Sequence, residues 1–308
     1  MLKPHQTRTD RARGALLGLA VGDAIGTTVE FKRRGSFPTL TDMMGGGPFN
    51  LQPGQWTDDT SMALCLGYSL VEKGFDLHDQ MQRYLNWYDH GYLSSTGRCF
   101  DIGNTTHSAL ERYRRTGQPE SGSVDPGTAG NGSIMRLAPV PIFYMDKTEL
   151  AIEMSQVQSR TTHQAPECLQ ACALLAGVLV KALNGMNKID LLHALQQNQE
   201  SFTGGLRDIA NRQFMRKTMD QIRGTGYVVQ SLEAALWCFW QTDSYEDCVL
   251  LAANLGDDAD TTAAIAGQVA GAFYGESGMP VKWLAILTMR QEIAELADRL
   301  AVGMKPKS

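Results

Sequence analysis

The stretch Asp257-Asp258-Ala259-Asp260-Thr261 runs directly into an apolar segment that has glycine at positions 267, 271 and 275. Glycines four residues apart lie on one face of a helix, where each costs about 1 kcal/mol relative to alanine. Close packing of another helix backbone against that face offsets the cost. We therefore predict a helix deep in the core with the acidic cluster at its N-terminus.

A second acidic cluster and a second glycine series occur earlier in the chain. Thr57-Asp58-Asp59-Thr60 precedes another apolar stretch, and glycines recur at positions 14, 18, 22 and 26. Crowded carboxylates repel one another unless cations or solvent neutralise them, and oxygen-only ligand sets suit hard ions such as Mg²⁺ or Mn²⁺. If the fold brings the two clusters together, they form a binuclear metal centre.

The alternative for each cluster is an ordinary helix N-terminus, where Asp and Thr are favoured caps and carboxylates complement the helix dipole. One cap needs a single Asp or Thr, whereas each cluster supplies at least four such residues. A metal ion gives the surplus oxygens a partner. The metal hypothesis therefore explains more of the pattern than capping does.

Composition limits the class of protein. The chain has 308 residues, 43% hydrophobic and 20% charged, with a net charge of −5 and no basic run longer than Lys32-Arg33-Arg34. A nucleic-acid partner needs concentrated basic residues, so we expect none. The six cysteines show no CxxC pair, which favours free thiols and a cytoplasmic location. The apolar runs at 15–21 and 171–180 are too short to span a bilayer, so we expect no membrane partner.

Helical periodicity dominates the chain, and no clean two-residue alternation of strand length occurs; the best strand candidate, 140–144, is brief and flanked by proline. The apolar positions at helical spacing are Leu64, Tyr68 and Val71; Leu169, Cys172, Leu175, Leu179 and Leu183; Val228, Leu232, Leu236 and Phe239; and Leu284, Leu287, Ile293 and Leu296. Long glycine-rich loops at 45–54 and 117–132 are typical of functional connections. We predict one all-α domain over residues 1–308, with its core at about 10–300.

Other candidate residues lie in polar turns. Asp101-Ile102-Gly103 precedes a predicted helix, and Asp101 is either its cap or a catalytic carboxylate; spacing does not decide. In Gly130-Asn131-Gly132-Ser133, glycines allow backbone N–H groups to approach a phosphate or sugar. His163 and Tyr227, each beside a predicted helix start, are either structural residues or lining residues of a site. Trp56 is either a lid or a core residue.

Taken in order, these motifs resemble the ADP-ribosylglycohydrolase family, and the resemblance runs from Gly14 to about Gly275. The matching blocks are Gly14 to Gly26 with Glu30-Phe31, Gln55 to Thr60, Asp101 to Gly103, Gly130 to Arg136, Thr162-His163, and Leu255 to Thr261. The resemblance implies an all-α fold with two divalent cations, Mg²⁺ or Mn²⁺, at the base of an ADP-ribose cleft.

The resemblance also assigns residues. It implies metal ligands at Thr57, Asp58, Asp59, Asp258, Asp260 and Thr261; Asp257 is left out because many relatives have glycine there. It implies substrate-binding residues at Glu30, Asp101, Ile102, Gly103, Gly130, Asn131, Gly132, Ser133, Met135, His163 and Tyr227. Asp101 is the first candidate for proton transfer to or from the leaving group, with Asp59 and Glu30 as rivals.

The activity implied is metal-dependent hydrolysis that removes ADP-ribose from protein side chains, with arginine as the first choice of linkage. An acidic, aromatic-lined mouth would suit the charge of a guanidine leaving group. Alternatives are another ADP-ribose linkage (serine, O-acetyl-ADP-ribose or nucleic acid), an immunity protein that blocks an ADP-ribosyltransferase toxin, or a non-catalytic binder. The expected partner is an ADP-ribosylated protein.

Overall fold

The computed structural model describes residues 7–196 and 199–303, and within these ranges it is helical with no β-strand. The ends of the predicted domain, and residues 197 and 198, lie outside the described residues. The α-helices are α1 Arg8–Gly26, α2 Asp58–Lys73, α3 Leu77–His90, α4 Asn104–Thr116, α5 Pro139–Phe143, α6 Thr148–Ser159, α7 Pro166–Leu183, α8 Lys188–His193, α9 Gly204–Ala210, α10 Val228–Gln241, α11 Tyr245–Ala253, α12 Ala259–Tyr274, α13 Val281–Ile286 and α14 Arg290–Ala301. The brief strand candidate at 140–144 lies in α5 and its C-terminal cap.

The two glycine series pack against each other. A Cβ atom on Gly22 would lie 2.1 Å from the carbonyl oxygen of Ala263, and one on Gly271 would lie 1.9 Å from that of Gly14. Contacts this short leave no space for any side chain. Gly26, near the end of α1, meets Ala259 at the start of α12, so the two helices are antiparallel. Close backbone approach, the predicted reason for the glycines, is confirmed.

The packing of α1 against α12 brings the predicted site residues close together. Helix α1 ends beside the N-terminus of α12 and continues through the 3₁₀ turn Thr27–Val29 to Glu30. Asp23, one turn before the end of α1, is fully buried. Both backbone N–H groups that bond to its carboxylate belong to the start of α2. The end of α1 therefore meets the first turns of both helices that carry the acidic clusters.

Helix α7 forms part of the core. Within the described ranges, α7 is the one helix that is long and apolar enough to cross a membrane, with a mean hydropathy of 1.5 over its 18 residues. However, 67% of these residues are buried inside the protein, as in a core helix. The prediction treated 171–180 as a run too short to span a bilayer, and it is in fact part of this longer helix. Its Cys168 and Cys172 are buried, and all six cysteines of the chain, which all fall within the described ranges, are free thiols.

The periodic pattern from Leu284 to Leu296 is split between two helices. Helix α13 ends at Ile286 and α14 begins at Arg290. Between them, the Thr288 N–H donates to the carbonyl of Gly54 at 2.9 Å, and the indole N–H of Trp56 donates to the carbonyl of Thr288 at 3.1 Å. These bonds to a distant loop replace continuation of the helix. Trp56 is fully buried, so it is a core residue and not a lid.

Candidate active site

The acidic clusters begin helices without capping them. Thr57 and Asp258 are the N-cap residues of α2 and α12, and neither side chain accepts a capping hydrogen bond. Asp23 of α1 caps the N-terminus of α2 instead, because its carboxylate accepts hydrogen bonds from the N–H groups of Thr57 at 2.9 Å and Thr60 at 3.0 Å. Both threonine hydroxyls also donate to Asp23, at 2.9 and 2.6 Å. Capping therefore does not explain the clustered carboxylates.

The carboxylates converge although they lie far apart in the sequence. Oxygen atoms of Asp23, Asp59 and Asp260 lie within 4.8 Å of one another, and so do those of Glu30, Asp101 and Asp260. Asp260 belongs to both groups. The structure thus brings the two acidic clusters together, with Asp260 at the point where the two groups of carboxylates meet.

Three carboxylate oxygens of this cluster lack partners. Asp59 Oδ1, Asp260 Oδ1 and Glu30 Oε2 are buried and have no hydrogen-bond partner among the described residues. Burial, followed by the charges of neighbouring carboxylates, raises the pKa of Asp59 and of Asp260 well above the ordinary value. Unpaired buried carboxylates are costly unless they bind protons or cations. The unpartnered oxygens and the oxygen-only donor set fit hard divalent cations.

The other predicted metal ligands lie in the same place. The Thr57 hydroxyl is 3.3 Å from Asp260 Oδ2, and the Thr261 hydroxyl donates to Asp59 Oδ2 at 3.3 Å. Asp58 and Asp258 line the adjoining cleft. All six predicted ligands therefore surround one region, and their coordination of metal stays a prediction.

A cleft of about 720 Å³ opens above the carboxylates, which is a typical volume for a nucleotide-sized ligand. It is lined by Glu30, Phe31, Asp58, Asp101 to Thr106, Gly130 to Gly132, Met135, His163, Arg223, Thr225, Gly226, Asp257, Asp258, Asp260 and Thr261. Nine of the eleven predicted substrate-binding residues are among them. Ser133 and Tyr227 are not.

The exceptions have side chains held elsewhere. The Ser133 hydroxyl is fully buried and accepts a bond from the thiol of Cys172 in α7 at 3.4 Å. The Tyr227 ring is 39% exposed, and its hydroxyl donates to Glu167 at 2.7 Å. Tyr227 is the N-cap residue of α10 and its backbone pairs with Gly130. In this structure neither side chain lines the cleft, and Tyr227 is not a core aromatic.

The glycine turn at 130–132 is shaped around His163. A Cβ on Gly132 would lie 2.7 Å from His163 Cε1, so only glycine lets the imidazole pack against the turn. Buried Arg136 donates to the carbonyl of Gly132 at 2.9 Å and to the hydroxyl of Thr162 at 2.7 Å. Burial, then the charge of Arg136, lowers the pKa of His163 to about 3. His163 is therefore a neutral residue that both supports the turn and lines the cleft.

Asp101 is not a helix cap, because α4 begins at Asn104 with Gly103 as its N-cap. Asp101 instead takes a left-handed backbone conformation, with φ of +62°. Burial, followed by the charge of Asp23, raises the pKa of Asp101 to about 7, whereas burial and then Asp101 raise that of Glu30 to about 10. Without bound cations, the pKa of Asp101 therefore lies closer to neutral pH than that of Glu30.

Several residues of the site were not predicted from the sequence. Asp23 was noted only as part of a glycine motif, although a carboxylate among the buried apolar residues of α1 is itself a signal of a specific partner. Phe31, Arg223 and Thr225 also line the cleft. Asp257, which was set aside as a metal ligand, lies at the cleft as well.

A model of the ADP-ribosylglycohydrolase family matches residues 4–308. The chain belongs to this family. The predicted family and all-α fold are therefore confirmed, and membership identifies the chain as a glycohydrolase. A solved structure described as an ADP-ribosylglycohydrolase-related protein complex is similar, with a TM-score of 0.86 and 43% identity, covering 96% of this chain and 98% of that one.

Named family relatives match over most of the chain. Two are described as ADP-ribosylarginine hydrolase Tri1: one from Pseudomonas putida is 48% identical, covering 97% of this chain and 80% of the relative, and one from Serratia proteamaculans is 45% identical, covering 97% and 81%. An ADP-ribosyl-[dinitrogen reductase] glycohydrolase from Rhodospirillum rubrum is 34% identical, covering 94% and 95%.

The buried carboxylates predict a pH-dependent effect of metal on stability. The pKa values of Asp23 and Asp101, about 6 and about 7, exceed those of an unfolded chain, near 3.9. The stability that these groups contribute is complete below about pH 4 and is lost as pH rises to about 7. Cations that neutralise them restore it. We expect Mn²⁺ to raise the melting temperature more at pH 8 than at pH 5, measured by calorimetry against EDTA; an equal shift at both pH values would contradict this.

Proposed function

We propose that this protein is a metal-dependent hydrolase that removes ADP-ribose from modified arginine side chains of proteins. The observation that carries the proposal is the carboxylate cluster with unpartnered buried oxygens at the base of a nucleotide-sized cleft. Membership of the glycohydrolase family supports the reaction type. The relatives named ADP-ribosylarginine hydrolase support the linkage.

The six predicted ligands, Thr57, Asp58, Asp59, Asp258, Asp260 and Thr261, are the residues that we propose hold two divalent cations, Mg²⁺ or Mn²⁺. Bound there, the cations would act as Lewis acids, with which the ribose hydroxyls and a water molecule could interact. The hydroxyls of Thr57 and Thr261 already contact the carboxylates of Asp260 and Asp59, so these side chains are preorganised. Asp23 holds Thr57 and Thr60 in place from behind.

The residues of the chain support the bond cleavage itself. Hydrolysis breaks the bond between the anomeric carbon and a guanidine nitrogen; water adds its oxygen to the carbon, and a proton passes to the nitrogen. Positive charge develops on the ribose, and the surrounding carboxylates stabilise it. Asp101 lines the cleft with a carboxylate oxygen within 4.8 Å of oxygens of Glu30 and Asp260, and it is the residue that transfers the proton in this proposal. Neutral His163 and the glycine turn at 130–132 form an uncharged part of the cleft lining, which is available to the remainder of the ADP-ribose.

The finer alternatives stay predictions. Serine, O-acetyl and nucleic-acid linkages share the ADP-ribose cleft and differ only in the group at its mouth. A toxin partner and a cytoplasmic location were predicted from the sequence, and the free thiols are compatible with the latter. The arginine linkage is preferred because several carboxylate side chains line the cleft and suit the positive charge of a guanidine leaving group.

A panel of defined linkages tests the proposal. We expect the Mn²⁺-loaded protein to release ADP-ribose from an arginine-modified protein at least about a hundredfold faster than from a serine-modified peptide, because only the guanidine is a cation. The readout is free ADP-ribose measured by chromatography at matched substrate concentrations. Faster release from serine or from O-acetyl-ADP-ribose would contradict the arginine assignment while leaving the glycohydrolase activity in place.

A further inference from the structure

Phe31, the residue after Glu30, has an unusual conformation for an aromatic residue. Its φ is +62°, in the left-handed region that bulky residues rarely adopt, and it is 69% exposed. Such a conformation is strained for a bulky residue and persists where the surrounding structure enforces it. Phe31 also lines the cleft. Packing does not explain an exposed aromatic held in this way.

Two backbone hydrogen bonds connect Asp257 to Phe31 and Lys32. The Phe31 N–H donates to the carbonyl of Asp257 at 2.8 Å, and the Asp257 N–H donates to the carbonyl of Lys32 at 2.8 Å. Asp257 is also left-handed, with φ of +58°, a conformation that glycine would adopt without strain. These bonds therefore hold an aromatic residue and an acidic residue at the cleft, both in the left-handed backbone conformation.

A guanidinium group already contacts this carboxylate. Arg223, the one Arg or Lys that lines the cleft within the described ranges, lies with Nη2 and Nε at 3.3 and 3.4 Å from a single oxygen of Asp257. The contact is long and not bidentate, and the side chain of Arg223 is 60% exposed. Exposed ion pairs of this kind contribute little and exchange readily. The Asp257 side chain is 26% exposed, so an incoming cation has access to it.

We propose that Phe31 and Asp257 form the subsite for the guanidinium of the arginine being released, and that Arg223 occupies this subsite when substrate is absent. A carboxylate provides charge-assisted hydrogen bonds to a guanidinium, and an aromatic face attracts the same cation. Glu30 is next to Phe31 in the chain, and its carboxylate oxygen lies within 4.8 Å of oxygens of Asp101 and Asp260. The subsite therefore adjoins the carboxylates that we propose act on the scissile bond. The inference rests on the proposed arginine linkage.

Asp257→Gly is the first test, because glycine relieves the backbone strain and preserves the fold. We expect kcat/KM for an arginine-modified protein to fall at least about tenfold, whereas the Kd of ADP-ribose, which has no leaving group, changes less than about twofold. Phe31→Gly should also lower kcat/KM for the arginine-modified protein without changing the Kd of ADP-ribose, but by a smaller factor than Asp257→Gly. Matched controls are Asp243→Asn and Val281→Ala, whose side chains are exposed and do not line the cleft; both should leave kcat/KM unchanged.

Arg223→Gln tests the second half of the proposal. We expect kcat/KM for the arginine substrate to rise at least about twofold, because the competing guanidinium is gone, and the Kd of ADP-ribose to stay within about twofold. An unchanged or lower kcat/KM would overturn the role of Arg223 as an occupant. A tenfold weaker Kd would instead make Arg223 a diphosphate ligand and overturn its role as an occupant. No selective loss in Asp257→Gly, in a wild type that cleaves the arginine linkage, would overturn the subsite alone. A wild type that cleaves only other linkages would overturn the proposed function and the subsite with it.

Discussion

Asp260→Ala is expected to reduce hydrolysis roughly a thousandfold or more, or by about 4 kcal/mol of transition-state stabilisation. Asp260 is the residue shared by both groups of clustered carboxylates, and one of its oxygens is buried without a partner. Its removal therefore disturbs both cation positions at once. The same change deletes a buried unpaired carboxylate, so in EDTA the variant should be at least as stable as the wild type.

The measurement combines three readouts on one preparation: ADP-ribose release, Mn²⁺ binding by calorimetry, and melting temperature in EDTA. The matched control is Asp146→Asn, whose side chain is 70% exposed and does not line the cleft. The control should retain activity and metal affinity. An Asp260→Ala protein with more than a tenth of wild-type activity, or with unchanged Mn²⁺ affinity, would rule out the shared role of Asp260.

Gly22→Ala is expected to destabilise the protein by about 3 kcal/mol or more, although alanine favours helices by about 1 kcal/mol. The added Cβ would lie 2.1 Å from the carbonyl oxygen of Ala263 and 2.9 Å from the amide nitrogen of Ala264. Backbone atoms cannot move away as a side chain can, so α1 and α12 must separate. Because Asp23 follows directly, the separation should also lower Mn²⁺ affinity.

Gly177→Ala in α7 is the control for that prediction. It is also a glycine inside a helix, but its added Cβ would meet only a methyl group of Ile152 at 3.8 Å, which is an ordinary contact. We expect it to stabilise the protein by about 1 kcal/mol. Urea denaturation measures both variants. Similar free energies of unfolding for the two would show that the glycine series is not required for the packing of α1 on α12.

Much of this arrangement was predictable because spacing carries physical information. Glycine at every fourth position predicts a close helix contact, and clustered carboxylates predict a cation, without knowledge of the fold. The pattern does not say which helices meet. The role of Asp23, which depends on α2 beginning beside the end of α1, therefore became visible only in three dimensions.

Side-chain direction and backbone conformation were not predictable. A motif places Ser133 and Tyr227 in the correct loops, but partners in α7 decide which way they face. Apolar periodicity likewise does not reveal the hydrogen bond from the Thr288 N–H to the Gly54 carbonyl, which lies where the last predicted helix is divided into α13 and α14. Phe31 is left-handed although bulky residues rarely adopt this region, so no sequence rule anticipates its position beside Asp257 at the cleft.

Both acidic clusters together should form the cation site on which hydrolysis depends. The decisive measurement is the rate of ADP-ribose release from an arginine-modified protein by EDTA-stripped enzyme during titration with Mn²⁺. We expect no release above background without the cation and full recovery as Mn²⁺ binds. Undiminished release in excess EDTA would show that the clusters are not a catalytic cation site.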